Sequence, residues 1–344
     1  MMHIQQAIAH LIAGQHLTQE QACHVTEQIM SGLATEAQIG AYLVALRMKG
    51  ETVDEITGSV QAMRAKALTF SVAGTVVDTC GTGGDGAGTF NISTTAAFVV
   101  AAQGVVVAKH GNRALSSQSG SADLLTALGV NIDAELPVVQ RCLAEVGIGF
   151  LFAPRHHAAM RYVAGPRREL AVRTLFNLLG PLTNPANAAY QLMGVFAAHW
   201  LEPVAQVLGR LGARHALVVH GADGLDELTT TDRTQVAEVD EEGRLIVYTV
   251  EPEQFGLARA RMSDLQGGDA AHNAQITRRV LDGEKGPPRD IVLLNAGAAL
   301  FAARKADTLS VGIGLAAEAI DSGRAHRCLE QLILLSNQPG PPHP

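Results

Sequence analysis

The stretch from Asp78 to Thr94, DTCGTGGDGAGTFNIST, follows an apolar run and crowds glycines, carboxylates, an asparagine and hydroxyls together. Two explanations fit that composition. Either the chain bends sharply there, or something anionic lies against its backbone. A strand, a glycine-rich turn and a helix beginning near Ser93 would aim free N–H groups at one point, which suits phosphate. Gly81, Gly83 and Gly84 allow close approach because no Cβ intrudes. Asp85 would repel phosphate directly, so it is expected on a ribose hydroxyl or a metal-bound water. The competing explanation is a tight strand-to-helix turn with Asn91 or Ser93 as an ordinary N-cap. The pattern is neither GxGxxG nor GxxxxGK[ST], so the usual dinucleotide and Walker readings fail.

A second stretch, KHGNRALSSQSGSADLLTALG from Lys109 to Gly129, also follows a strand-like run and enters a helix-like one. Lys109 and Arg113 supply charge, and Ser116, Ser117, Ser119 and Ser121 supply donors. Ser119 or Ser121 could equally be a helix N-cap. Two such turns in consecutive units would place two phosphate sites on one sheet edge.

In the third stretch, VVHGADGLDELT, Asp223, Asp226 and Glu227 follow a strand. Adjacent residues on a regular strand point apart. In a turn, Asp226 and Glu227 could converge on a hard cation such as Mg²⁺, which bridges carboxylates to substrate phosphates. Acids in a helix's first turn, favoured by the macrodipole, would look the same. A fourth stretch carries Arg155, Arg161, Arg167, Arg168 and Arg173, dense for so acidic a chain. One of them could clamp a carboxylate through two parallel hydrogen bonds, while most would lie on a solvated face. His156 and His157 are neighbours and would not share a helix face, which argues against a histidine metal site.

These stretches need elements to position them. Residues 3 to 67 read as helices punctuated by three capping boxes: Thr18 with Gln21, Thr35 with Gln38, and Thr52 with Glu55. From about residue 75, short apolar runs alternate with helical segments, the pattern of an α/β domain with a mostly parallel sheet. TQVAEVDEEGRLIVYTV reads as a hairpin near a sheet edge. The expected division is a helical domain over 1–70, joined by helices from about 165–185, and an α/β domain over 71–344.

The 344 residues are 47% hydrophobic and 17% charged, enough for a sizeable core and low for a disordered chain. A net charge of −7 lacks the basic field of a nucleic-acid binder. Cys23, Cys80, Cys142 and Cys328 form no CxxC pair, so neither a zinc site nor a disulfide framework is expected, and a reducing cytoplasm fits. The start, MMHIQQAIAH, lacks a basic region followed by a long apolar core, so no signal peptide is expected. TTAAFVVAAQGVVVAK is too short and broken to span a bilayer.

Taken together, GTGGD, NIST, KHGNRALSSQSGSAD, RTLFNLLGPLTNP, HGADGLDEL, GGDAAHNA and RDIVLLNAGAAL resemble, in order, the motifs of the anthranilate phosphoribosyltransferase family. The resemblance implies a nucleoside-phosphorylase-like phosphoribosyltransferase fold, with a small helical domain beside the larger α/β domain. It implies transfer of a phosphoribosyl group from phosphoribosyl pyrophosphate to the amine of anthranilate, in tryptophan biosynthesis. It places the donor on Gly81, Gly84, Asp85, Thr89, Asn91, Ile92, Ser93, Thr94, Lys109, His110, Gly111, Asn112, Arg113, Ala114, Leu115, Ser116, Ser117 and Ser121. Anthranilate falls to Gly81, His110, Asn112 and Arg167. Two Mg²⁺ per subunit fall to Ser93, Asp226 and Glu227. The family's partners are small molecules, with no nucleic acid and no membrane, and it forms a homodimer through the helical domain. Gln118, Ala158, His272 and Ala171 depart from the residues common there, which are Lys, Pro, an acid and Gly.

Two rivals remain on the sequence alone. A pyrimidine nucleoside phosphorylase of related fold shares the GTGG loop but carries a KMSGR-like stretch where this chain has KHGNRALSSQSGSAD. A non-catalytic nucleic-acid-binding relative would have lost Asn112, Arg167, Asp226 or Glu227, all present here.

Overall fold

The structure is a computed structural model describing residues 2–114 and 118–340. Four helices open the chain: α1 (Ile4–Ile12), α2 (Gln19–Met30), α3 (Glu36–Lys49) and α4 (Val53–Lys66). The last three start where the capping boxes put them. Thr18, Thr35 and Thr52 each accept the N–H three residues on, and Gln21, Gln38 and Glu55 reach back to the cap N–H. Glu55 does more than cap. It is fully buried, and it accepts from Lys49 Nζ and from Leu17 N, both at 2.9 Å, tying α3 and the α1–α2 connection to α4.

The rest of the chain builds a seven-stranded sheet of order β3-β2-β1-β4-β5-β6-β7. The strands are β1 (Val76–Gly81), β2 (Val106–Gly111), β3 (Ile148–Phe152), β4 (Tyr190–Gly194), β5 (His215–Gly221), β6 (Thr234–Asp240) and β7 (Leu245–Val250). The first five run parallel, and β6–β7 is the antiparallel hairpin at the edge. Helices α5 (Ile92–Ala101) and α6 (Ser121–Leu128) follow β1 and β2.

The sheet divides two cores. On one face α5 and the helices Pro287–Ala302 and Arg324–Ser336 pack on β1, β2 and β3. On the other, Met193, Val195, Ala216 and Val218 meet the helix Leu201–Arg210, and that core runs on through α1–α4 and Leu175–Leu182. The chain winds from β1 through β2 to β3, then returns to place β4 on the other side of β1. The crevice outside the ends of β1 and β4 is therefore a topological switch point, where open α/β sheets bind ligands. No helix among the described residues is long and apolar enough to cross a membrane.

Candidate active site

Gly81 ends β1 and pairs in register with Gly194, which ends β4. Both must be glycine, because a Cβ on Gly194 would collide with the Asp226 carbonyl and one on Gly81 with the Asp226 carboxylate. The loop after β5 thus lies flat across the switch point. It contains no helix, so Asp226 and Glu227 are not first-turn helix acids; they sit in an irregular turn. Asp226 Oδ2 accepts from Gly83 N at 2.7 Å, and Glu227 Oε1 accepts from Ser93 N at 3.1 Å. The two adjacent carboxylates diverge to two ends of the same glycine-rich loop. Asp223 does not join them; it accepts from Leu225 N and from Thr229 Oγ1 within its own turn.

The charges here are poorly compensated. Burial pushes Asp226 up to about 7, and the nearby charge of Asp85 adds to it. Glu227 rises to about 8 through burial and then through the charge of Asp226. Burial lowers Lys109, while Asp78, Cys80 and Glu227 pull the other way. Two carboxylates that hold onto protons beside a serine hydroxyl are a hard-oxygen set, which fits Mg²⁺. Among the described residues no three His, Cys, Asp or Glu side chains gather to hold a metal, so a cation held by this pair would need further oxygen ligands from elsewhere.

The expected caps turn out otherwise. Asn91 occupies the N-cap position of α5, but its side chain makes no capping bond. Its Nδ2 donates to Ser119 O at 3.0 Å, and its Oδ1 accepts from Ser119 Oγ and Asn273 Nδ2. Gly120, not Ser119 or Ser121, caps α6, and Ser121 Oγ donates to Asn112 O. Asn91 is therefore the tie between the loop after β1 and the loop after β2. Ile92 and Thr94 are buried beneath it. Thr89 bridges to Gln266, and Asp85 accepts from Ala87 N.

At the end of β2, Lys109 donates to Thr79 O, and Asp78 accepts from His110 N. Asp78 also accepts from Asn184 Nδ2 at 2.7 Å, which locks the segment before β4 to the ends of β1 and β2. A Cβ on Gly111 would strike Ser121 Oγ, so glycine lets α6 close on the strand end. Arg113 pairs with Asp123 at 3.1 Å, and Asp123 also accepts from Ala114 N and Gly120 N, both at 2.9 Å. Asp123 is a residue the sequence reading passed over. Leu115, Ser116 and Ser117 lie outside the described residues.

A cavity of about 470 Å³ opens beside Gly81. Gly81, His110, Asn112 and Arg167 all line it, brought together from β1, β2 and the helix Arg161–Leu170. Its walls are otherwise largely apolar, with Met63, Phe176 and Pro181 among them. Arg167 stands 5.8 Å over the Phe176 ring, which holds its guanidinium at the wall. His110 and His157 meet edge-on at 5.1 Å, and neither Nε2 has a hydrogen-bond partner among the described residues. Burial drives His110 down to about 3 and His157 to about 4, so both are neutral near pH 7. The spacing of His156 and His157 speaks only to metal binding; the burial of His157 and its place in the cavity wall beside Gly180 and Pro181 show only in three dimensions. Ala158 and Arg161 also line the cavity, Arg155 reaches away to Asp133 O, and Arg168 is exposed. Arg173 lies 4.5 Å over Phe196 and donates to Gly84 O, strapping the glycine loop.

Comparison with known proteins agrees in both parts of the chain. The glycosyl transferase family helical bundle domain matches residues 5–67, and the family's a/b domain matches residues 73–326. An anthranilate phosphoribosyltransferase from Paramagnetospirillum magneticum is 57% identical, over 97% of this chain and 96% of its own. One from Moorella thermoacetica is 56% identical, over 95% and 96%. The crystal structure of the Thermus thermophilus anthranilate phosphoribosyltransferase superposes with a TM-score of 0.91 at 47% identity, over 96% of this chain and 99% of that one. The Saccharomyces cerevisiae enzyme in complex with PRPP and Mg superposes at 0.87 with 27% identity, over 97% of each chain. The chain belongs to the anthranilate phosphoribosyltransferase family and is an enzyme of the glycosyl transferase group.

Proposed function

We propose that the chain divides its family's reaction, phosphoribosyl transfer from phosphoribosyl pyrophosphate to the amine of anthranilate, between two regions that meet at Gly81. The donor lies across the loops after β1 and β2, and the acceptor occupies the cavity. One observation carries this reading: the four residues assigned to the acceptor line one largely apolar cavity, which Thr82 at the start of the donor loop lines with them. An aromatic carboxylate fits such a site, with Arg167 for its charge and apolar walls for its ring.

Departure of pyrophosphate leaves positive charge on the ribose C1 and negative charge on the leaving group. The N–H groups of Gly84 and Asp85 and the Lys109 ammonium are the chain's own devices for the negative charge; one preorganised donor is worth about 3–4 kcal/mol. Ser93, Asp226 and Glu227 would hold Mg²⁺, two ions per subunit, which when bound neutralises charge on the diphosphate. An aryl amine is neutral at pH 7, so no strong general base is required. His110 and His157, both neutral, offer hydrogen bonds without adding charge. Arg167 and Asn112 orient the acceptor so that its nitrogen faces C1.

Exposed Ile12, Leu33 and Met48 on the helical domain support a homodimer through that domain. A cytoplasmic enzyme acting on small molecules fits the scattered, unpaired cysteines. A pyrophosphate-release assay tests the reading. Release that requires anthranilate, phosphoribosyl pyrophosphate and Mg²⁺ together is expected. Release unaffected by anthranilate, or phosphorolysis of thymidine instead, would replace it.

A further inference from the structure

The loop that carries Asp226 and Glu227 has no ladder of its own, yet Leu228 beside them is fully buried. Its peptide groups need partners from elsewhere. Asn295, fully buried on the helix Pro287–Ala302, provides both. Its Oδ1 accepts from Leu228 N at 3.0 Å, and its Nδ2 donates to Leu228 O at 2.8 Å. The same Nδ2 donates to Ile291 O at 2.9 Å, which fixes the orientation of the amide on its own helix. On the other flank Asp223 gathers Leu225 N, Thr229 Oγ1 and Thr231 Oγ1. From beneath, the absence of a Cβ at Gly81 and Gly194 leaves the room that Asp226 fills.

We propose that Asn295 is a positioning residue for the paired carboxylates: its two-point clamp on the N–H and C=O of Leu228 holds Asp226 at Gly83 and Glu227 at Ser93. Two adjacent carboxylates repel each other, and an unclamped loop relieves that by turning one toward water. Rigid support of this kind governs metal affinity, and its loss typically costs 10–100-fold. The proposal rests on the metal reading given above.

The test uses the full chain with Mn²⁺ as the probe, its binding followed by electron paramagnetic resonance with phosphoribosyl pyrophosphate present. Asn295→Leu removes both bonds at similar volume, and Asn295→Ser, small enough to fit if the first fails to fold, cannot span both groups. Leu293→Ala, which truncates a buried side chain on the same helix, serves as the comparison for general destabilisation. Mn²⁺ binding weakened about tenfold in an Asn295 variant but within twofold of the parent in Leu293→Ala is the expected result. A folded Asn295 variant that binds Mn²⁺ within twofold of the parent overturns the proposal, as does equal weakening in Leu293→Ala. If the parent itself binds no Mn²⁺, the metal reading falls and takes this one with it; parent binding with unaffected variants removes Asn295 alone.

Discussion

The Asp226 carboxylate accepts the Gly83 N–H at 2.7 Å, joining two loops 143 residues apart in the chain. With Glu227 on Ser93 N, it makes the glycine-rich loop and the acidic loop a single object. The bonded carboxylates are also the groups with raised proton affinity, so the arrangement is tense until a cation or proton arrives.

That tension has a sign. Asp226 moves from 3.8 to about 7 and Glu227 from 4.5 to about 8, so the folded chain holds protons that the unfolded chain has released. Above about pH 4 the ionising pair opposes folding, and the opposition is complete above about pH 8. Asp226→Asn combined with Glu227→Gln should therefore melt higher than the parent at pH 8 in EDTA, with the gap narrowing toward pH 5. The same variant should lose Mg²⁺-dependent turnover by at least about 100-fold. Full turnover in the double variant would refute the metal assignment.

Arg167 lies at the wall of the acceptor cavity, partly buried over Phe176. A charge-assisted bond to a carboxylate contributes about 1.5–3 kcal/mol. Arg167→Ala should raise the anthranilate KM about 10- to 100-fold and leave the donor KM within about twofold. Steady-state kinetics with each substrate varied separately decides it; a change confined to the donor moves Arg167 out of the acceptor site.

His110 and His157 titrate near 3 and 4, far below the ordinary 6.5, because burial disfavours the imidazolium. The unfolded chain binds these protons first. The stability they permit is intact above about pH 6.5 and drains away as the pH falls toward 4 and then 3. Asp226 and Glu227 gain stability over the same window, so the histidines are read as a difference: between pH 7 and pH 5 the melting temperature of the parent should fall relative to that of a His110→Gln, His157→Gln variant. Parallel curves for the two proteins would show that the pair carries none of the acid sensitivity.

Ala171 closes the helix Arg161–Leu170 in the left-handed region, at φ 50°. A Cβ there costs about 1 kcal/mol, and glycine avoids it. Ala171→Gly should raise the melting temperature of the chain by about 1 °C. An unchanged or lower melting temperature would mean that the extra freedom of glycine in the unfolded chain cancels the gain.

Part of this molecule was legible because it is local. A capping box satisfies its donors within three residues, so Thr18, Thr35 and Thr52 announced α2, α3 and α4 in the bare chain. Apolar runs, their spacing and the Glu241–Gly243 turn similarly marked the parallel strands and the edge hairpin. Asn91 shows where local reasoning stopped. Its position predicted a cap, yet its side chain serves Ser119 and Asn273, 28 and 182 residues away.

The amino-acid sequence by itself determined which segments become helix, strand and glycine turn, and which residue types stand at their ends. Only the tertiary structure decided that β1 lies between β2 and β4, that Asp226 sits on Gly81 and Gly194, and that His157 and Arg167 face one cavity. The reason is physical. Local elements follow from backbone sterics and hydrogen bonds a few residues long, whereas a site assembles from strand order and core packing, in which contacts across more than a hundred residues compete on equal terms.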